Sequence, residues 1–329
     1  MAVLVCGGAG YIGSHCVYKL IDRNEEVIIV DNLQTGHLGA IHSNARFYQG
    51  DIRDKEFLQR VFNENEIDAV MHFAANSLVG VSMKEPLEYY NNNVYGTQIL
   101  LETMKNHKVD KIVFSSTAAV YGEPVNIPII ERDRTEPTNP YGETKLTVEK
   151  MLKWASQAYD MGYISLRYFN VAGAHQNAHI GEDHSPETHL IPLILSVALN
   201  KRPNIMVFGD DYDTPDGTCI RDYIHVMDLV EAHILALNKL RQVKERTVYN
   251  LGNGEGFSVK EVIEAAREVT EHPIPIVIEN RRLGDPSILI ASSERAKEEI
   301  GWKPTYTKIE DIIESAWKWH KNNPNGFKR

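Results

Sequence analysis

Tyr141-Gly142-Glu143-Thr144-Lys145 sets a phenol and an ammonium four residues apart. On a helix that spacing projects both from one face, about one turn separated. Together they make a base that neither supplies alone. Free Tyr has a pKa of ~10, and a nearby cation favours its phenolate. Bringing that pKa to ~7 takes ~4 kcal/mol of differential interaction, at ~1.36 kcal/mol per unit. The helix that must carry the pair has a marked start: Asn139 can cap, Pro140 suits the first helical position, and Glu143 falls in the first turn. A Tyr and a Lys so spaced also lie on many solvated helix faces. The pair gains meaning from what precedes it.

Residues 2–6 are a short apolar run, followed by Gly7-Gly8-Ala9-Gly10-Tyr11-Ile12-Gly13 and a helical stretch to about Arg23. Gly8, Gly10 and Gly13 form G-x-G-x-x-G, while Gly7, Gly10 and Gly13 form G-x-x-G-x-x-G. A glycine cluster alone is a tight turn. A strand before it, a helix after it and an acid about 20 residues on make it a dinucleotide site. Residues 26–30 read as the second strand, and Asp31 stands at its end. In this arrangement the helix N-terminus and its N–H groups receive a pyrophosphate, and Asp31 accepts hydrogen bonds from the adenosine ribose. Its carboxylate repels a 2′-phosphate and no Arg or Lys follows closely, so the expected cofactor is NAD rather than NADP. The positive ring of oxidised nicotinamide, with Lys145, could supply the shift asked of Tyr141.

Residues 47–50 suit a third strand, ending in Asp51-Ile52 beside the adenine. Residues 69–73 suit a fourth, ending in Ala74-Ala75-Asn76, whose small side chains let a cofactor approach the backbone. The pattern predicts one helix over 86–105 carrying Asn91, Asn92 and Asn93, one of which can face a cofactor crevice. A fifth strand at 111–114 leads into Ser115-Ser116-Thr117, and another is expected at 163–169. Residues 174–189 are polar and hold His175, His179, His184 and His189. Imidazoles at short spacings invite a metal reading, but no Cys joins them and a polar loop can be solvated or line a pocket. No metal is expected. A helix over 191–200, a strand at 205–208, a strand at 248–251 returning to the main sheet and a helix capped by Ser258 follow. Trp302, Trp317 and Trp319 read as packing residues.

The 329 residues are 43% apolar and 24% charged, enough for a sizeable core, with a formal net charge of −10. That charge argues against a nucleic-acid or anionic-membrane surface. Three scattered cysteines (Cys6, Cys16, Cys219) fit a reducing cytoplasm rather than a disulfide framework. No basic n-region marks a signal peptide, and no apolar run approaches the ~18 residues needed to span a bilayer. A cytoplasmic location is expected.

Taken in order, the glycine loop, Asp31, Ser115-Ser116-Thr117, Tyr141-x-x-x-Lys145 and Arg281-Arg282-x-Gly284-Asp285 resemble the extended short-chain dehydrogenase/reductases over nearly the whole chain. Leu166-Arg167-Tyr168-Phe169-Asn170, Gly209-Asp210-Asp211-Tyr212 and Arg221-Asp222-Tyr223-Ile224-His225-Val226 are similar to the members that epimerise nucleotide sugars. The resemblance implies an α/β fold: a Rossmann-type doubly wound parallel sheet over 1–172, rejoined by about 220–252, and a smaller C-terminal α/β substrate lobe, mainly 173–329. It implies epimerisation at C4, interconverting UDP-galactose and UDP-glucose through a transient 4-keto sugar with tightly bound NAD. Tyr141 would take the proton of the sugar 4-hydroxyl while hydride leaves C4 for the nicotinamide. The keto sugar then turns its other face, and the hydride returns. Thr117, where the family usually has Ser, would bond the C4 oxygen, and Lys145 would bind the nicotinamide ribose and lower the Tyr141 pKa.

By the same resemblance Gly7, Gly10, Tyr11, Ile12, Gly13, Asp31, Asn32, Asp51, Ile52, Phe73, Ala74, Ala75, Asn92, Ser115 and Tyr168 join Tyr141 and Lys145 in holding NAD. The sugar nucleotide would meet Thr117, Tyr141, Asn170, His189, Leu190, Phe208, Arg221, Tyr223, Arg282, Asp285 and Leu289. Arg221 and Arg282 would clamp the diphosphate, Phe208 and Leu190 flank the uracil, and Asp285 bond its ribose. Leu289 falls where the family varies a gate: Tyr there excludes N-acetyl groups, and Cys or Ser admits them. Homodimers are expected through helices here at 86–105 and 141–159. Two positions depart from the family pattern. Ser77 replaces a frequent Lys that touches the cofactor, and Val171 a frequent Pro. A sugar-nucleotide 4,6-dehydratase would need Asp-Glu where Ala118-Ala119 stand. A non-catalytic NAD sensor on this fold can lose the Tyr or the Lys, and both are present here.

Overall fold

The computed structural model describes residues 1–282 and 286–327. Among these, aliphatic and β-branched runs form the strands Ala2–Cys6 (β1), Val27–Asp31 (β2), Arg46–Gln49 (β3), Ile67–His72 (β4), Lys111–Ser115 (β5) and Gly162–Tyr168 (β6). Four short strands follow, Asn170–Ala172 (β7), Ile205–Phe208 (β8), Ile220–Arg221 (β9) and Tyr223–His225 (β10). Arg246–Leu251 (β11) precedes Phe257–Ser258 (β12), Ile276–Glu279 (β13) and Ile288–Leu289 (β14). The main sheet runs β11-β6-β5-β4-β1-β2-β3, and every pairing in it is parallel. This is a Rossmann-type doubly wound sheet. Its order reverses between β1 and β4, where a crevice opens beyond the strands' carboxyl ends.

The helices are Tyr11–Asp22 (α1), Lys55–Glu64 (α2), Val79–Ser82 (α3), Pro86–Tyr89 (α4), Gly96–Asn106 (α5), Pro140–Tyr159 (α6), Leu190–Ala198 (α7), Val226–Gln242 (α8), Val259–Thr270 (α9), Glu294–Ile300 (α10) and Ile309–Asn322 (α11). Alternate residues of β1 feed opposite layers. Val3 and Val5 join Val17 and Leu20 of α1 and Leu229 and Leu237 of α8, while Leu4 joins Leu58 of α2, Leu100 of α5 and Val148 of α6. Strands covered on both faces must be apolar throughout, and β1 and β2 are buried at every position. Each such fully buried aliphatic side chain contributes about 1.5–3 kcal/mol. A separate core joins α7, α9 and α11 through Ile194, Leu195, Val262, Ile312 and Ile313. Of the three tryptophans expected to pack, Trp302 and Trp319 are fully buried and Trp317 lies partly buried against the core of α7, α9 and α11.

Two details differ from the sequence expectation. Strand limits move by one or two residues, so Asp31 closes β2 from within it. More substantially, the helix predicted over 86–105 is divided. Between α4 and α5, Tyr90–Tyr95 winds as a π-helix, a wider turn that recurs at functional sites. Tertiary bonds select it. Asn93 Oδ1 accepts from Asn76 N at 2.8 Å, and its Nδ2 donates to Asn76 O and to Thr144 Oγ1, each at 3.0 Å. Asn92 and Asn93 are both buried, although they are consecutive.

Candidate active site

The glycine loop closes on the end of β4. A Cβ on Gly7, at φ +83°, would lie 2.6 Å from Ala74 N, and one on Gly13 would lie 2.0 Å from Gly7 O. Neither residue has room for a side chain. A groove at this switch point is lined by Gly7, Gly10, Asp31, Asn32, Asp51, Ile52, Phe73, Ala74, Ala75 and Asn92, all predicted from sequence. Val30, Gln34, Thr35, Gly50 and Asn76 line it too and were not among the predicted contacts. Gln34 and Thr35 follow Asp31 by three and four residues, which was the available signal. The Tyr11 side chain points elsewhere, its hydroxyl donating to Gly173 O at 2.6 Å, while its backbone opens α1.

Asp31 is fixed on the groove floor, Oδ2 accepting from Ala9 N at 2.9 Å and Oδ1 from Leu33 N at 2.8 Å. Burial raises its pKa, and the two N–H bonds oppose that. Asp51 is held down at about 2 by hydrogen bonds from the Arg53 side chain, paired at 2.7 Å. Two carboxylates and an open helix N-terminus fit NAD and disfavour a 2′-phosphate.

Helix α6 carries the Tyr141–Lys145 pair singled out from the sequence. Asn139 Oδ1 caps it, accepting from Gly142 N at 2.9 Å. Tyr141, Lys145 and Glu149 then follow at four-residue steps on one face. The buried Lys145 Nζ donates to Ser115 O at 2.8 Å and lies 4.9 Å over the Phe114 ring. Burial lowers its pKa to about 7. Burial also raises the Tyr141 phenol well above its ordinary range, with Tyr168 adding to the shift and a hydrogen bond with Thr117 opposing it. In the protein alone, then, both members of the pair are pushed toward neutrality, and Lys145 by itself does not make a phenolate. A fixed positive charge, such as the ring of oxidised nicotinamide, would favour the phenolate.

Sequence reasoning missed a residue behind this face. His233 of α8 is fully buried, Nε2 lying 2.8 Å from Ser115 Oγ and Nδ1 2.9 Å from Leu229 O. A carbonyl can only accept, so Nδ1 carries the proton and Nε2 accepts from Ser115. Burial lowers the ring's pKa to about 4, which keeps it neutral. The Ser115 hydroxyl is thereby oriented, and it in turn bonds Tyr168, whose phenol burial lifts to about 12. One serine thus holds Lys145 through its carbonyl and Tyr168 through its hydroxyl. A histidine on an apolar helix face reads as core, and nothing local to 226–242 signals this link.

On the opposite side the small sheets gather the predicted nucleotide-sugar residues. Strand β10 pairs with β7 and sets Tyr223 beside Asn170, which hydrogen-bonds the buried phenol. Strand β14 pairs with β9 and sets Leu289 beside Arg221. The Arg282 guanidinium lies 4.0 Å over the Phe208 ring. Leu190 opens α7. Leu289 is partly buried and packs against the small cluster of Val120, Tyr121, Ile129 and Leu146, as Phe169 does. His189 bonds through Nδ1 to Glu182. The expectation for Asp285 lies outside the described residues.

Comparison with known proteins follows the same outline. The model of the NAD dependent epimerase/dehydratase family matches residues 3–252. A UDP-glucose 4-epimerase of Halalkalibacterium halodurans is 61% identical, over 99% of this chain and 98% of its own. One of Streptococcus mutans is 57% identical over 99% of both. The crystal structure of a UDP-glucose 4-epimerase from Bifidobacterium longum in complex with NAD+ and UDP superposes with a TM-score of 0.94 at 43% identity, covering 99% of this chain and 100% of that one.

Proposed function

The chain belongs to the NAD dependent epimerase/dehydratase family, and from that premise we propose that it inverts C4 of UDP-hexoses, interconverting UDP-galactose and UDP-glucose through a 4-keto sugar. The cofactor is NAD. The observation that carries the reading is the Tyr141 hydroxyl, hydrogen-bonded to Thr117 and one helical turn from Lys145, at the carboxyl end of β5. Bound NAD supplies the acceptor that takes hydride from C4 and gives it back. Tyr141 Oη takes the 4-hydroxyl proton and returns it after the sugar has turned. Thr117 steers the C4 oxygen, and its branched side chain holds one rotamer more stiffly than Ser would. Lys145, anchored on Ser115 O, is within the site's buried floor and serves the nicotinamide ribose. Ala118 and Ala119 leave no acid–base pair for loss of water, which weighs against a 4,6-dehydratase. Purified protein given UDP-galactose and no added NAD should form UDP-glucose. No conversion, with NAD then added in excess, would refute the reading.

Arg221 and Arg282 are the proposed diphosphate clamp, with Phe208 and Leu190 at the uracil. We place the substrate lobe in 173–329 outside the returning segment, with its own core around α7, α9 and α11. Leu289 is the proposed gate. An acetamido group needs both volume and a polar partner, and burying an amide unpaired costs ~1–3 kcal/mol. Leu supplies no partner. UDP-N-acetylglucosamine should therefore show a kcat/KM about five- to 150-fold below UDP-glucose, and Leu289→Cys should narrow the gap. Equal values in the wild type contradict the assignment.

A homodimer accounts for large apolar side chains left in the open on neighbouring helices. Leu87 of α4 is 81% exposed, and Trp154 and Tyr159 of α6 are 68% and 51% exposed. Sedimentation should give two chains for the wild type and one for Leu87→Asp/Trp154→Asp; a monomeric wild type rejects this. No helix among the described residues is long and apolar enough to cross a membrane. The three buried cysteines fit a cytoplasmic enzyme of galactose metabolism.

A further inference from the structure

Two imidazoles and two carboxylates outside the Tyr141–Lys145 face converge on one point. Glu182, His184, Glu187 and His189 each turn one ligand atom inward, and the four atoms lie within 4.8 Å of one another. Glu182 is the buried member, its side chain 4% exposed, with Oε1 3.1 Å from His184 Nδ1 and bonded directly to His189 Nδ1. Glu187 stands across from both rings, its carboxylate oxygens 3.8 Å from His184 Nδ1 and from His189 Nδ1. His184 Nδ1 is itself buried and makes no hydrogen bond of good geometry, despite the near carboxylate.

Four ligands at ~2.0–2.2 Å from a tetrahedral Zn2+ are spaced ~3.3–3.6 Å from each other. The observed separations bracket that range, His189 Nδ1 and Glu182 Oε1 lying closer and the Glu187 oxygens 3.8 Å from each ring nitrogen. We infer that Glu182, His184, Glu187 and His189 form a structural site for a divalent cation of the Zn2+ class. Imidazole with carboxylate suits Zn2+ and disfavours Mg2+ or Ca2+, which take oxygen ligands. With all four positions filled by protein the site is closed, as structural zinc sites are.

The surroundings explain what the ion does. The backbone is already held, Trp319 Nε1 donating to Glu182 O at 3.2 Å and Phe327 N to Asp183 Oδ2 at 2.9 Å. His189 is the N-cap of α7, and the Tyr11 ring of α1 meets His184 edge-on at 6.2 Å. The cation therefore ties the turn that opens the dinucleotide helix to the helix beside the nucleotide. Sequence reading weighed the histidines without the two glutamates between them. Only two of its four histidines belong to the cluster.

The test uses full-length protein dialysed against a chelator and then titrated calorimetrically with ZnCl2 alone. One equivalent per chain is expected, with an unfolding midpoint raised by about 5 °C at saturation. Co2+ in place of Zn2+ should give the visible absorption of a tetrahedral site. Glu182→Gln should lower the affinity at least tenfold; because its burial puts folding at risk, Glu187→Gln and His184→Asn are measured beside it. An ion-pair cluster without metal function predicts no stoichiometric uptake. That result, or uptake unchanged in Glu187→Gln and His184→Asn, overturns the proposal, and neither depends on turnover.

Discussion

Tyr141→Phe should lose about a thousandfold in kcat while keeping its fold and its bound NAD. The phenolic oxygen is the proposed proton acceptor, and a positioned acid–base group is worth about 10²–10⁴ in rate. Nothing else at the C4 oxygen can take its place. Thr117 offers only an aliphatic hydroxyl, and Lys145 donates to Ser115 O. The substitution removes one oxygen from a ring that is otherwise packed, so the midpoint of unfolding should move little. The loss should fall on kcat more than KM, since the missing interaction belongs to the transition state. Steady-state kinetics on both substrates checks this, with absorbance of released dinucleotide as the control for cofactor. A variant keeping more than a tenth of wild-type kcat would remove Tyr141 as the base.

The second large effect concerns stability. Glu149 lies two turns beyond Tyr141 on the same face of α6, and its carboxylate takes three buried bonds: from Ser116 Oγ at 2.5 Å, Arg167 Nε at 2.9 Å and Arg167 Nη2 at 2.5 Å. Both side chains are under 10% exposed. Arg167 continues to the Tyr121 hydroxyl at 2.9 Å, and that hydroxyl donates to Asn250 Oδ1 at 2.6 Å. The network joins the end of β5, α6, β6 and β11 beneath the cleft. Breaking a buried pair from one side leaves the other charge uncompensated and costs about 3–5 kcal/mol. Glu149→Ala should lower the unfolding midpoint by on the order of 10 °C. The double variant Glu149→Met/Arg167→Met should recover part of the loss, because it strands no charge. A midpoint within two or so degrees of wild type, followed by scanning calorimetry, contradicts the network's role.

What the sequence disclosed and what it hid divide along physical lines. The strand, glycine loop and Asp31 were legible because their spacing is fixed by one local unit, a strand-turn-helix closing on a pyrophosphate. The start of α6 was legible because capping chemistry is local as well. The π turn at Tyr90–Tyr95 was not: residues 86–105 favour a helix throughout, and only the distant Asn76 and Thr144 select the wider turn. His233 was hidden for a similar reason, since its partner Ser115 lies on β5, far away in sequence, and the face of α8 that carries it is buried. The Glu182 cluster sits in chain without periodicity, held by Trp319 and Phe327 from the far end of the sequence. Local patterns reach local structure, and long-range hydrogen bonds do not announce themselves in composition.

The central claim is that C4 is oxidised and reduced by the same resident cofactor, with the hydrogen never leaving the site. Purified protein, with no NAD added, is incubated with UDP-galactose carrying deuterium at C4, and the product is examined by NMR. The account predicts UDP-glucose that still carries deuterium at C4, formed in ordinary water. Hydrogen at C4 in place of deuterium would contradict it.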